Sequence, residues 1–365
     1  MIKHISFPSI EQLRTVVHNI GNEAEFRGLD ANNNPIYDRT GIKPTLKFKG
    51  TVKLHGTNAG VSYNSQDGFW YQSRENIITP LKDNAGFAFF ASARESIFKQ
   101  FIEQIEEENN ISADDVTITI YGEWAGAGIQ KGVGISNIEK SFFIFGVKIS
   151  KPEDESFKSY WVNCENLRDP SVDKNAVEFL GYPYKDSPNR IYNINDFATY
   201  EIEIDFNNPD RVVNKLSELT IAVEDECPVS KALGHPETVG EGIVWVTSYN
   251  GNVHRFKVKG LKHANGSKVH TLKEVDDAKL NNIEKIINEV TPTWRLEQAL
   301  EKTFDFMNGG KIDRKKLGDF IRNVIADVTK EDSDVISNAG LEPKDINKGI
   351  SDVARKYFFA QESTL

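Results

Sequence analysis

Residues 46–63 read Leu46-Lys47-Phe48-Lys49-Gly50-Thr51-Val52-Lys53-Leu54-His55-Gly56-Thr57-Asn58-Ala59-Gly60-Val61-Ser62-Tyr63. Two alternating runs flank a short polar segment, which predicts a strand, a turn at Gly56 and a second strand. Lys53 then stands at a strand end with polar groups packed behind it. Two roles fit such a lysine. It is a solvated hairpin residue, or it is a nucleophile whose amine is readied for attack by burial or by neighbouring cations. Six residues alone favour the first.

Outward from this hairpin, the first two-thirds of the chain read mainly as strands. They are expected at 45–53, 59–64, 69–73, 116–124, 141–149, 243–248 and 253–259, rich in β-branched and aromatic residues and bounded by Gly, Asn or Asp. Two helices interrupt them. One carries Phe87, Phe90, Ala91, Arg94, Phe98, Phe101, Ile102 and Ile105 along one face; the other starts near Pro209 and runs through Val212, Leu216, Leu219 and Val223. The stretch from Gly260 to Ser267 is a turn-rich joint. Beyond it the pattern is helical, with runs around Leu280–Val290 and Trp294–Met307. Apolar stripes follow at Leu317, Phe320, Ile321, Val324, Ile325 and Val328, and at Ile346, Ile350, Val353 and Tyr357. The expectation is a mixed α+β domain over residues 1–262 and an all-helical C-terminal domain over 268–365. No internal repeat or low-complexity tract is present.

A chain of 365 residues holds about two domains with cores of their own. Its hydrophobic and charged fractions, 39% and 27%, suit a globular protein and no membrane span is long enough. The N-terminus has no export signal, and the two cysteines, Cys164 and Cys227, lack metal or redox spacing. These features read as a soluble, cytoplasmic protein with two inert thiols. A net charge of −10 argues against a surface coated in cations for bulk nucleic-acid binding, but leaves room for a local basic groove.

Four further stretches carry chemistry. Tyr121-Gly122-Glu123 ends a strand in a carboxylate, before a glycine-rich turn reaching Gln130. Its glycine spacing does not suit dinucleotide binding, so the carboxylate is either solvated or functional. Ser141-Phe142-Phe143-Ile144-Phe145-Gly146-Val147 is an aromatic strand, either core or a stacking surface for a base. Gly240-Glu241-Gly242 opens an apolar strand, and a carboxylate between glycines suits a metal or a metal–phosphate group. In His254-Arg255-Phe256-Lys257-Val258-Lys259, Lys257 and Lys259 share a strand face, either as edge protection or as two cations on one spot. Together these residues compose a phosphoanhydride site of cations, carboxylates, an aromatic and a poised lysine, without a GxxxxGK[ST] loop.

In this order, over residues 51–260, the motifs resemble the covalent nucleotidyltransferase superfamily of ATP-dependent ligases and capping guanylyltransferases. The segment Lys53-Leu54-His55-Gly56-Thr57-Asn58 is most similar to its RNA ligase 2 branch, the phage nick-sealing RNA ligases and their relatives. The resemblance implies an ATP-grasp-like adenylylation domain with antiparallel sheets, followed by the helical domain. It implies that Lys53 attacks the α-phosphate of ATP and carries AMP, inside a nucleotide site that includes Val52, Leu54 and Gly56. Arg74 would contact phosphate, Glu123 the ribose hydroxyls, and Phe145, rather than Phe143, the adenine ring. Glu241 and Asn58 would serve a metal, Mg2+ with Mn2+ as a substitute. His55 and Asn58 would support transfer to the RNA end, and Lys257 and Lys259 would contact the AMP phosphate. Gln130 falls on the family's functional glutamine.

Two positions depart from the family pattern. Thr51 replaces a basic residue two places before the nucleophile, where Lys49 on the same strand face is a substitute, and Gly146 replaces an acidic residue after the aromatic. A free lysine, with a pKa of about 10.4, is almost wholly protonated at neutral pH. Cations such as Lys257 and Lys259 favour a neutral neighbouring amine and also stabilise charge on phosphorus.

An OB-fold barrel after the last lysine strand would mark DNA ligases and capping enzymes, and the 3.6-residue periodicity of 270–365 opposes it. The Lys311-Ile312-Asp313-Arg314-Lys315-Lys316 run offers Arg314, Lys315 and Lys316 as RNA phosphate contacts, or is simply a solvated helix start. The expected protein is a monomeric RNA-repair ligase joining 3′-hydroxyl and 5′-phosphate RNA ends, in nicked duplexes or single strands. It would lie in the host cytoplasm if phage-encoded. The alternatives are an ATP-dependent DNA ligase and a non-catalytic protein that binds nucleic-acid ends.

Overall fold

The computed structural model describes residues 2–171, 187–236, 238–260, 276–304 and 312–362. Most of the joint expected after Gly260, together with Met307 and Lys311, lies outside the described residues. The elements begin with α1 (Leu13–Glu25), the strands β1 (Phe26–Leu29) and β2 (Pro35–Tyr37), then β3 (Thr45–Lys53), β4 (Thr57–Asn64), β5 (Gly68–Ser73) and β6 (Ile77–Ile78). Helices α2 (Phe87–Ser92) and α3 (Glu95–Asn109) precede β7 (Thr117–Ala125), β8 (Ser141–Ser150), β9 (Tyr160–Val162), β10 (Ile191–Asn193) and β11 (Thr199–Asp205). Next come α4 (Val213–Asp225), α5 (Pro228–Ala232), β12 (Gly242–Tyr249) and β13 (Asn252–Lys259). The C-terminal helices are α6 (Asp277–Val290), α7 (Thr293–Thr303), α8 (Leu317–Glu331), α9 (Ser333–Asn338) and α10 (Pro343–Glu362). The fold is therefore mixed, with largely antiparallel sheets and a helical C-terminal part, as the sequence pattern leads one to expect. No helix among the described residues is long and apolar enough to cross a membrane.

The chain divides into two compact units. One comprises residues 1–16, 46–203 and 214–272; the other comprises 17–45, 204–213 and 273–365. In the first unit, a seven-stranded sheet has the order β10-β8-β7-β4-β5-β6, with β9 also pairing β8, and a four-stranded sheet has the order β11-β3-β12-β13. Only β10 on β8 is a parallel pairing among the described registers of the larger sheet.

The larger sheet packs its apolar face on α2 and α3, burying Phe87, Phe98, Phe101, Ile102 and Ile105 with Ile118, Ile120, Phe142 and Ile144. The helical stripe expected over this region holds, but as two helices. Arg94 leaves helical geometry (φ −127°, ψ 22°), and its guanidinium bonds the Phe90 carbonyl at 3.1 Å and the Asn189 carbonyl at 2.8 Å. An arginine that satisfies two carbonyls fixes this break. Cys164 and Cys227 are buried and unbridged.

The second unit holds the β1–β2 hairpin and a helical core of its own, in which Phe320, Val324, Val328, Ile346, Ile350, Ala354 and Phe358 are buried. These are stripe positions of α8 and α10, which is why the 3.6-residue period is so plain there. Arg295 ties this core by ion pairs to Asp327 (2.8 Å) and Asp332.

Candidate active site

Strand register gathers the chemistry of the first unit. In the four-stranded sheet, Lys53 on β3 lies opposite Gly242 on β12, which lies opposite Lys259 on β13. The next row on the same face is Thr51, Val244 and Lys257, and the third is Lys49, Val246 and Arg255. In the seven-stranded sheet, Asn58, Glu123, Phe143 and Tyr192 form one row across β4, β7, β8 and β10. The three residues Leu54, His55 and Gly56 carry the chain from one sheet to the other. Gly56 is required there: a Cβ would lie 2.4 Å from the Trp124 carbonyl oxygen. Gly242 is required as well, at φ 149° and with a Cβ that would fall 2.1 Å from the Val258 carbonyl oxygen.

A cavity of about 480 Å³ is lined by Val52, Lys53, Leu54, Gly56, Asn58, Arg74, Glu123, Phe143, Phe145 and Lys257, all of them positions singled out in the sequence. Glu241, only 2% exposed, gathers the cations at its edge. Its carboxylate lies 2.5 Å from Lys53 Nζ, 2.7 Å from Lys259 Nζ and 3.5 Å from His55 Nδ1. Burial pushes Glu241 upward, but Lys53 and Lys259 more than offset this and hold it below the usual carboxylate range. Burial pushes Lys257 down, helped by the like charges of Lys259 and Lys53.

Glu123 behaves in the opposite way. Burial drives its carboxyl up to about 7 despite the pull of Lys53 and of the Gly56 N–H, which donates to Oε1 at 2.9 Å. Two carboxylates in one site are thus driven apart, Glu241 ionised and Glu123 near neutrality, a pattern typical of functional sites.

The aromatic strand is bulged at the site. Tyr121 pairs with Gly146 but Gly122 pairs with Ile144, so Phe145 is the extra residue. Phe143 is fully buried and stacked on Tyr192 at 5.2 Å and 22°, whereas Phe145 is half-buried and meets Phe7 edge-on at 5.1 Å. Gln130 Nε2 donates to the Gly56 carbonyl at 3.4 Å. In the second unit, Arg314, Lys315 and Lys316 form an exposed 3-10 turn just before α8, where Asp313 accepts from the Lys315 N–H at 2.9 Å.

Several lining residues escaped the sequence reading. Phe7, Ser9 and Ile10 reach the cavity from an N-terminal strap, and Ser9 Oγ accepts from Arg74 at 3.2 Å. The strap is pinned by the buried Gln72, which accepts from the Ile5 N–H at 3.0 Å and donates to the Ile5 carbonyl at 2.5 Å. At its other end, Glu11 exchanges main-chain bonds with Arg255 and Lys257 of β13. The brief alternation of Ile5 and Phe7 is the one local signal. Arg255 was also missed, although the period-two reading that joined Lys257 to Lys259 reaches it with one more step. The substitute expected at Lys49 needs correction: Lys49 pairs with Glu165 at 2.9 Å and does not line the cavity, while Arg255 in the same row does.

Comparison with protein families adds the deciding observation. The profile described as RNA ligase matches residues 47–259, more than half of the chain. The chain belongs to the RNA ligase family. Comparison with curated proteins finds no match. Among solved structures, this RNA ligase family member is similar to a Naegleria gruberi RNA ligase with PPi, at 16% identity and a TM-score of 0.37, over 71% of this chain and 57% of that one. A variant of the same ligase with ATP and Mn gives a TM-score of 0.38 at 16% identity over the same shares. The chain thus spans little more than half the length of the Naegleria ligase.

Among the described residues, no three His, Cys, Asp or Glu side chains gather as a metal cage. A carboxylate such as Glu241 with an amide such as Asn58 fits a hard cation of the Mg2+ kind only if substrate phosphates complete its shell, which is how that ion is usually held.

Proposed function

We propose that the chain is an ATP-dependent RNA ligase of the RNA ligase 2-like branch, sealing 3′-hydroxyl and 5′-phosphate RNA ends through a lysyl–AMP intermediate. One observation carries the reading: Lys53, Lys257, Glu123 and Phe145 line a single cavity, with Glu241 bridging Lys53 and Lys259 at its edge.

The chemistry follows from those groups. An ammonium paired with Glu241 has no lone pair to give, so Lys53 Nζ has to leave that pairing and lose a proton to water in the open cavity. It then forms an N–P bond to the α-phosphorus as the bond to pyrophosphate breaks. Lys257 and Lys259 offset the charge on the α-phosphate, and Arg74 is held toward the cavity by Ser9 to meet phosphate. The carboxyl oxygens of Glu123 accept from the ribose hydroxyls. Phe145 offers the ring for the base, because Phe143 is already stacked on Tyr192. A divalent ion held by Glu241, Asn58 and the phosphates would supply further charge stabilisation. In the following steps AMP passes to the RNA 5′-phosphate, and the 3′-hydroxyl displaces it, with His55, Asn58 and Gln130 beside the nucleophile turn.

The test is covalent labelling. Protein incubated with α-labelled ATP and Mg2+, then denatured, should retain label, and Lys53→Ala should not. Unlabelled wild type, or undiminished label on the variant, overturns the mechanism. Nicked duplexes with RNA or DNA on the 3′-hydroxyl side, and single strands, then read substrate choice. Equal sealing of all-DNA nicks overturns the RNA assignment.

A further inference from the structure

The third row of the four-stranded sheet contains a cation for which the reading above has no use. Lys49 is satisfied by Glu165, but Arg255 has no carboxylate partner and no side-chain acceptor among the described residues, although it borders the cavity. Its guanidinium lies over the Trp161 ring at 4.1 Å and near the Phe7 ring at 5.3 Å. Stacking uses the faces of the guanidinium and leaves its five N–H donors at the rim. Burial pushes this arginine down to about 10, so it remains charged at neutral pH. With no side-chain acceptor beside it among the described residues, this half-buried cation has donors that a ligand's acceptors would meet in place of water.

Its place says what that something is. Lys53 and Lys259, with Glu241, mark the phosphate end of the cavity, and Lys257 lies one row in. Arg255 lies a further row away, about 7 Å along the strand. There the neighbours are Phe7, Phe145 and Val246, so this is the aromatic end. A base resting on Phe145 turns an edge toward this end. Purine edges carry ring-nitrogen acceptors, and arginine can only donate. We propose that Arg255 reads the nucleobase, donating an N–H to a ring nitrogen of the purine and so selecting the nucleotide that charges Lys53. The inference rests on the reading of the cavity as a nucleotide pocket.

The experiment measures enzyme–nucleotide formation with ATP and its 1-deaza, 3-deaza and 7-deaza analogues, each lacking one acceptor. Wild type should disfavour one analogue by about tenfold or more, the effect of one charged hydrogen bond. Arg255→Met keeps an apolar stem against Trp161 and should use ATP and that analogue equally, whereas Arg255→Lys should retain part of the preference. Wild type that uses all three analogues as well as ATP overturns the proposal without any variant. So does an Arg255→Met protein that discriminates as wild type does. A purely structural arginine would lower all four rates together and leave their ratios unchanged. Failure of the pocket reading looks different: wild type would take no label from ATP at all.

Discussion

Glu123→Gln isolates the cost of holding a carboxylate in this pocket. The amide keeps the volume and an oxygen for the Gly56 N–H, which donates to Glu123 at 2.9 Å, but it cannot ionise. Burial raises the Glu123 carboxyl from 4.5 to about 7 in the folded chain. A raised acid means that the fold prefers the protonated form. The contribution of Glu123 to stability is therefore fully present below about pH 4.5 and is lost as pH climbs through about 7. Two and a half pH units at 1.36 kcal/mol each give about 3 kcal/mol, an upper figure because the carboxylate opens on the cavity and its water. Urea unfolding at pH 4.5, 5.5, 6.5 and 7.5 reads the effect, followed by tryptophan fluorescence, since Trp70, Trp124, Trp161 and Trp245 belong to the first unit. The variant should gain on wild type with rising pH, by up to about 3 kcal/mol across the series. A difference that stays flat from pH 4.5 to 7.5 refutes the reasoning, because burial would then not be opposing the charge.

Two other perturbations test the scaffold. Gly56→Ala places a Cβ 2.4 Å from the Trp124 carbonyl oxygen, so the turn after Lys53 must shift. Enzyme–AMP formation should fall by about 10²-fold while circular dichroism stays unchanged, and normal labelling would show that the turn tolerates displacement. Arg295→Met removes the cation shared by Asp327 and Asp332 and should destabilise the helical unit by about 2 kcal/mol, Asp327 being partly open to solvent. Unfolding of the second unit, read through Trp294, checks it; an unchanged midpoint would make that ion pair decorative.

Much of this site was legible because its residues obey short periods. The seven expected strands all form, within about two residues of their bounds, since alternation across a half-buried sheet writes itself into the sequence. The same rule aligned Lys257 with Lys259, and the carboxylates announced themselves by flanking glycines. What stayed hidden is what depends on distant partners. Nothing near Ser9 indicates Arg74, 65 residues away. Strands β6, β9 and β10 are two or three residues long, too short to show a period, yet β10 supplies the Tyr192 that occupies Phe143. The break at Arg94 is invisible too, because the apolar spacing continues through it while the side chain, not the pattern, ends the helix. Lys49 misled for the converse reason: its face was right, but a carboxylate from another loop had already claimed it.

The short link from Lys53 to Asn58 explains why so few residues can fix so much. Strand β3 belongs to the four-stranded sheet and β4 to the seven-stranded one, so the three residues between them are the crossing from one sheet to the other. A three-residue crossing permits little freedom in how the two ends are disposed. Lys53 ends its row beside Gly242 and Lys259, while Asn58 starts beside Glu123. The cationic row and the carboxylate–aromatic row are thereby brought to the two walls of one cavity by a single turn. That turn tolerates no side chain at Gly56, and Leu54 is buried beneath it. Lengthening the crossing would leave every candidate side chain in its strand and still separate the walls. The placement of the candidate groups therefore rests on the register of two sheets and the brevity of the step between them.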